Sequence, residues 1–157
     1  MSLRARGFTL IELMVTVTIV SILALAVLPF AETAARRAKE AELRAALRDM
    51  RKAIDAYKKA WDDGRIEHRV GEAGYPATLE TLVEGVRDPK DPAGRRLYFL
   101  RRIPRDPFSA DEGRAAAAWG KRSYASPPDF PSEGSDVYDV YSLSDRVGLN
   151  GVAYRLW

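Results

Sequence analysis

A long apolar run near the start of the chain limits what this protein can fold into more than any other feature. Residues 8–31 form the run, about 24 residues, which corresponds to roughly 36 Å of α-helix. That length exceeds the roughly 30 Å hydrocarbon core of a bilayer. Arg4 and Arg6 precede the run, and Glu12 is the one charged residue inside it. The sequence therefore predicts a single membrane-spanning helix whose basic end stays in the cytoplasm.

The carboxylate of Glu12 needs an explanation, because an ionised carboxylate at the centre of a membrane helix costs roughly 2.5–3.5 kcal/mol. Either the side chain stays near the aqueous interface, or it pairs with a cation. Cleavage after Gly7 would give Phe8 a new α-amino group that supplies such a cation, in the same chain or in a neighbouring one. Two further interpretations are a secretory signal peptide cleaved near residues 24–26 and an uncleaved simple anchor.

The residues around this junction resemble a known processing motif. Residues 6–13 read Arg-Gly-Phe-Thr-Leu-Ile-Glu-Leu, which is similar to the cleavage and methylation motif of type IV pilins and type II secretion pseudopilins. The resemblance implies that residues 1–7 are a leader, that a prepilin peptidase cuts after Gly7, and that the same enzyme methylates Phe8. It also implies that Glu12 guides the docking of the next subunit. Pro29 matches a proline that is common in these helices.

A second helical segment is predicted directly after the apolar run. Its large apolar side chains recur at alternating spacings of four and three residues, which is typical of one buried helix face. They are Leu43, Leu47, Met50, Ile54, Tyr57 and Trp61. Asp62, Asp63 and Gly64 end the pattern. We therefore divide the chain into a leader over residues 1–7, a transmembrane or filament-core helix over 8–31, an amphipathic helix half over 32–62 and a globular domain over 63–157.

The globular part is predicted to contain one short helix and several strands. Pro76 and Thr78 open the helix, and Gly85 lies near its end. Residues 137–142 and 152–157 alternate apolar and polar side chains, as half-buried strands do, and residues 122–125 suggest a shorter strand. We therefore expect an α+β fold in which the long helix packs on a small antiparallel sheet of about three strands. The family resemblance implies the same arrangement, a type IV pilin-like fold.

Two later segments resemble the major pseudopilin of type II secretion. They are Ile-Pro-Arg-Asp-Pro-Phe at residues 103–108 and Trp-Gly at residues 119–120, and the intervening residues 109–118 depart from the commonest pattern. The resemblance implies a calcium-binding loop near the C-terminus, since calcium takes six to eight oxygen ligands. Asp145 and Asn150 match that loop loosely, with Asp136 or Asp139 as further candidates. The alternative is a tight hairpin without an ion.

Composition narrows the classes of function. The chain has 157 residues, no cysteine, one histidine and a formal net charge of +3. Without cysteine it forms neither a disulfide nor a thiol site, so its stability must come from packing, a bound ion or the polymer. The small, dispersed charge does not predict a nucleic-acid surface. The sequence contains no nucleophile elbow, metal-ligand cluster or phosphate loop, so we predict that the protein is not an enzyme.

The resemblance implies a structural function. The chain would be a subunit of a type II secretion pseudopilus, anchored by a single pass in the inner membrane, with its C-terminal domain in the periplasm. Its partners would be further copies of itself, other pseudopilins, the prepilin peptidase and methyltransferase, and the inner-membrane assembly platform. Calcium is the one cofactor for which the resemblance offers a candidate site, and no other cofactor is expected. The alternatives are a type IV pilus subunit for adhesion, motility or DNA uptake and, more remotely, a membrane-anchored enzyme.

Overall fold

The chain divides into two compact units, and one long helix contributes to both. A computed structural model describes residues 7–69, 71–109 and 113–157, and of residues 26–28 the backbone alone. Residues 1–6 of the predicted leader lie outside the described residues. One unit ends at Ala38 and the other spans Lys39–Trp157. Helix α1 runs from Leu10 to Asp62, so it ends at the residue where the apolar pattern predicted its end.

In the first unit, several hydroxyl groups of helix α1 are satisfied by hydrogen bonds within the helix. The hydroxyls of Thr16, Thr18 and Ser21 donate hydrogen bonds of 2.7–2.9 Å to carbonyl oxygens three or four residues earlier. Pro29 lies inside the helix, and its carbonyl oxygen accepts a 2.8 Å hydrogen bond from the hydroxyl of Thr33. Hydroxyls paired in this way can enter lipid without leaving unsatisfied donors.

In the second unit, the predicted stripe of helix α1 forms the centre of the core. Leu43, Leu47, Met50, Ile54 and Tyr57 are buried, and Trp61 packs against them. The core is completed by side chains from the rest of the unit, chiefly Leu79, Leu82, Trp119, Val137, Val140 and Tyr154. The period of the stripe therefore predicted the buried face of the helix correctly.

The short helix α2, Leu79–Glu84, forms where it was predicted. Thr78 is its N-cap, and the side-chain oxygen of Thr78 accepts the backbone N–H of Thr81 at 3.4 Å. Gly85 ends the helix with a φ of 73°, a conformation that glycine adopts without steric cost. A Cβ at this position would also lie 2.6 Å from the carbonyl oxygen of Leu97, so the turn requires glycine twice over.

Two small antiparallel sheets follow. Strand β1, Val86–Arg87, pairs with β2, Arg96–Leu97. Strand β3, Trp119–Arg122, pairs with β4, Asp139–Ser142, and Gly120 lies opposite Tyr141. A Cβ on Gly120 would lie 2.3 Å from the Tyr141 ring, so this pairing needs the glycine. A long N-terminal helix with small antiparallel sheets confirms the predicted α+β, pilin-like fold.

The predicted third strand over residues 152–157 is wrong. Val147 and Ala153 form one isolated bridge, and Tyr154–Leu156 is a 3₁₀ turn. A strand would place Tyr154 and Trp157 on opposite faces, whereas a 3₁₀ turn places residues three apart on the same side. The two rings pack edge to face with centroids 4.9 Å apart, so aromatic packing overrides the alternating pattern.

The other two strand predictions need smaller corrections. The predicted strand at 137–142 is shorter and spans Asp139–Ser142. The predicted strand at 122–125 lies earlier in the chain, at Trp119–Arg122. The chain turns after Arg122 because the N–H of Tyr124 bonds the carboxylate of Asp136 at 2.8 Å instead of a strand partner.

The two segments that resemble the major pseudopilin come together in the second unit. The indole N–H of buried Trp119 donates a 2.9 Å hydrogen bond to the carbonyl oxygen of Pro104. The carboxylate of Asp106, also buried, accepts the hydroxyl of Ser142 at 2.5 Å and the N–H of Phe108 at 2.8 Å. Hydrogen bonds therefore attach residues 103–108 to strands β3 and β4.

Candidate assembly site and C-terminal loop

The predicted cleavage junction is exposed and lies just outside helix α1. Gly7 and Phe8 precede the helix, and Phe8 is 76% exposed. Among the described residues, nothing lies within 4 Å of the place where a Cβ on Gly7 would sit. The fold itself therefore does not require glycine at this position. A need for glycine there must come from outside the chain, as recognition by a processing enzyme would provide.

Glu12 occupies the first turn of helix α1. Its backbone N–H donates to the hydroxyl of Thr9 at 3.3 Å, so Thr9 acts as the N-cap and Thr9 to Glu12 has the spacing of a capping box. Within the described ranges, from residue 7 onward, the Glu12 carboxylate has no hydrogen bond or ion pair. The positive end of the helix dipole favours a negative charge here, so the carboxylate is held at the start of the helix and remains available.

The apolar side chains that follow Glu12 are exposed. Helix α1 includes a stretch that is long and apolar enough to cross a membrane, and among its residues whose burial is described none is buried in the chain. Its exposed members include Leu13, Ile19 and Leu23. Exposed apolar surface of this extent marks a membrane or protein contact. This surface and the Glu12 carboxylate together form the candidate assembly site.

The four residues predicted as calcium ligands are either exposed or already paired with other groups of the chain. Asp145 and Asn150 are both exposed, and the side-chain oxygen of Asn150 accepts the N–H of Val152 at 3.1 Å. The carboxylate of Asp136 accepts the backbone N–H of Tyr124, as described above. The carboxylate of Asp139 forms a salt bridge with the guanidinium of Arg51 at 2.8 Å. In the part of the chain that is described, no three His, Cys, Asp or Glu residues form a group that could hold a metal ion.

Three charged residues of helix α1 that the sequence did not single out hold the C-terminal segment instead. We call Glu40, Arg44 and Arg51 the helix clamp. Glu40 is 4% exposed and contacts residues of the C-terminal segment. One signal could have found it: Glu40 precedes Leu43 by three residues and Leu47 by seven, so it lies on the buried stripe.

The comparison with known proteins decides the family. The prokaryotic N-terminal methylation motif matches residues 2–28. The type II secretion system core protein G of Dickeya chrysanthemi is 31% identical over 115 residues, which cover 71% of this chain and 68% of that protein. The protein of the same name in Klebsiella pneumoniae is 32% identical over 112 residues, covering 69% and 72%. The chain belongs to the type II secretion core protein G family. No solved structure gives a significant match.

Membership identifies the chain as a pseudopilin and assigns its N-terminal helix to membrane anchoring. It confirms the resemblance seen around residues 6–13 and the predicted structural function. The individual roles of Gly7, Phe8 and Glu12 stay predictions. The calcium site that the family resemblance implied also stays a prediction: of its candidate ligands, Asp145 stands beside Arg146, and Asn150 already accepts one hydrogen bond.

Proposed function

We propose that this pseudopilin polymerises through helix α1 into a periplasmic filament that drives protein export. The observation that carries the proposal is the exposed apolar surface of the first unit, which starts with the available carboxylate of Glu12. The relatives named type II secretion system core protein G support the same task. The chain acts as a structural subunit and catalyses no reaction of its own.

Processing comes first in the proposed sequence of events. Arg4 and Arg6 keep the leader in the cytoplasm, and helix α1 anchors the chain in the inner membrane with residues 63–157 in the periplasm. The prepilin peptidase cleaves after Gly7, and the new amino group of Phe8 is methylated. The exposed, non-helical backbone at Gly7 and Phe8 is accessible to such an enzyme.

Docking of one subunit on another follows, and attraction between opposite charges positions the incoming subunit. The Glu12 carboxylate of an incoming subunit pairs with the methylated ammonium of Phe8 on a subunit already in the filament. Pairing removes the cost of an unpartnered carboxylate in lipid, roughly 2.5–3.5 kcal/mol at the membrane centre. The apolar helix surfaces then leave lipid and pack on one another. Other pseudopilins and the inner-membrane platform take part in this assembly.

The test compares two carboxylates of the same helix. Glu12 and Glu32 are both exposed residues of helix α1, so Glu12→Gln and Glu32→Gln remove the same charge at different places. Each variant is produced in cells that carry the peptidase and assembly platform. The mass and N-terminal sequence of the membrane protein report processing, and sheared filaments report assembly.

We expect wild type and both variants to begin at methylated Phe8. Filament yield should fall by roughly tenfold or more in Glu12→Gln, since ~1.4 kcal/mol of lost affinity corresponds to tenfold, and should stay normal in Glu32→Gln. Normal filament yield from Glu12→Gln would remove the docking role. A chain that begins after residue 26 would instead show an ordinary exported protein.

A further inference from the structure

The loop over residues 143–153 is closed by its own backbone and held by helix α1. The N–H of Gly148 donates to the carbonyl oxygen of Val152 at 2.8 Å, and that of Gly151 donates to Gly148 at 3.0 Å. These bonds shape a tight hairpin. They do not attach the hairpin to the rest of the unit, so the attachment must come from other contacts.

Glu40 provides that attachment. Its Oε1 accepts the backbone N–H of Leu149 at 2.7 Å and the hydroxyl of Tyr154 at 3.0 Å. Both Glu40 and Tyr154 are buried. Hydrogen bonds to an ionised carboxylate are about twice as strong as neutral ones. One side chain thus binds the tip of the hairpin and the aromatic residue just after it, more than one hundred positions away in the sequence.

The other members of the helix clamp bind the segments that flank the hairpin. Arg51 donates to the Asp139 carboxylate at 2.8 Å, before the hairpin, and to the main-chain oxygen of Trp157 at 2.8 Å, after it. The Arg44 guanidinium lies 4.3 Å from the centroid of the Trp157 ring and 3.8 Å from Glu40. The clamp therefore joins helix α1 to both ends and to the tip of the C-terminal segment.

We propose that the Glu40 carboxylate, and not a calcium ion, fixes the C-terminal loop of this pseudopilin. The contacts of Glu40 with the backbone N–H of Leu149, the hydroxyl of Tyr154 and the guanidinium of Arg44 all present a hydrogen-bond donor to its carboxylate, so donors of the chain itself take the place that a cation would otherwise fill. The contacts all lie within Lys39–Trp157, so the inference does not depend on filament assembly. The domain then keeps its fold without calcium.

Thermal unfolding of the full mature chain in detergent micelles tests this, with calcium chloride or with EDTA. We expect the same melting temperature in both for wild type and for Asp145→Asn. Glu40→Ala should lower it by on the order of 10 °C in both. Glu42 is an exposed carboxylate on the same helix, so Glu42→Ala is the matched control and should melt like wild type.

Amide hydrogen exchange at Leu149, measured in wild type and in Glu40→Gln, tests the proposal even if Glu40→Ala does not fold. In wild type this amide should exchange slowly with or without EDTA. In Glu40→Gln, which keeps the shape but loses the charge, exchange should be roughly tenfold faster, since loss of a charged partner weakens the bond. A wild-type melting temperature that falls with EDTA, and does not in Asp145→Asn, would overturn the proposal, as would unchanged melting and exchange in the Glu40 variants.

Discussion

Helix α1 carries apolar side chains through both units, yet the two units use them in opposite ways. In the unit that ends at Ala38, Leu23 is 60% exposed and the other large apolar side chains described nearby are exposed too. In Lys39–Trp157, Leu43 and Met50 are 0% exposed. The presence of apolar residues alone does not tell an exposed helix face from a buried one. An apolar helix face is buried in a core only where other parts of the same chain pack against it. Elsewhere the face stays exposed and can contact lipid or another subunit.

The difference lies in the spacing of the apolar residues. Residues 43–61 repeat at intervals of three and four with charged residues between them, which leaves one apolar face. Residues 8–31 are apolar all round, apart from Glu12 and a few hydroxyls. Such a helix is surrounded by apolar material on every side. The first unit is therefore built for a bilayer or a helix bundle, and the second for a single packed domain.

Matched leucine substitutions give the largest expected effect. Leu43→Ala should destabilise the second unit by about 2–5 kcal/mol, because a fully buried leucine leaves a cavity when it is truncated. Leu23→Ala should change that stability by less than about 0.5 kcal/mol. Urea unfolding in detergent, followed by tryptophan fluorescence, measures this, because Trp61, Trp119 and Trp157 all lie in Lys39–Trp157. Equal losses from the two variants would break the distinction between the units.

Local patterns predicted those parts of the fold whose partners lie nearby in the sequence. Periodicity identified the buried stripe from Leu43 to Trp61, and cap chemistry identified Thr78. Both signals depend on residues within a few positions of each other. The motif at residues 6–13 indicated the type IV pilin and pseudopilin superfamily by resemblance, and the segments at residues 103–108 and 119–120 favoured the major pseudopilin.

Local sequence patterns did not predict the contacts between residues that are far apart in the sequence. The alternation at residues 152–157 favoured a strand, but Tyr154 stacks on Phe108 with centroids 4.2 Å apart and the segment turns to allow it. Arg51, which the sequence did not single out, pairs with Asp139. Nothing within a short window of sequence reveals such partners, because each is more than forty positions away.

Ser142→Ala should have an intermediate effect and tests whether polar contacts also define the second unit. The Ser142 hydroxyl donates to the buried carboxylate of Asp106, so its loss leaves that carboxylate with one partner fewer. We expect a loss of about 1–3 kcal/mol. Ser135 is exposed, and Ser135→Ala should leave the urea midpoint unchanged. A Ser142→Ala protein as stable as wild type would show that apolar packing alone sets the stability of the unit.

The smallest effect is expected at the turn between strands β1 and β2, where Asp91 makes surface contacts. The Arg95 side chain, at 2.6 Å, and then the N–H of Ala93, at 3.0 Å, lower the pKa of Asp91. Because the folded-state pKa lies below the unfolded one, the contact stabilises above the unfolded pKa and is lost as the pH falls through the folded pKa. Arg95 is 83% exposed, so solvent weakens the pair.

Asp91→Asn should therefore lose slightly less stability than wild type between neutral and acidic pH, and both should unfold alike at the acidic end. Urea midpoints measured along a pH series check this, and an NMR titration of the Asp91 carboxyl group checks the direction of the pKa shift. Arg95→Ala should move that titration back toward the ordinary aspartate range. An Asp91 effect as large as that of Leu43→Ala would mean that surface turns, and not the buried helix face, hold the second unit together.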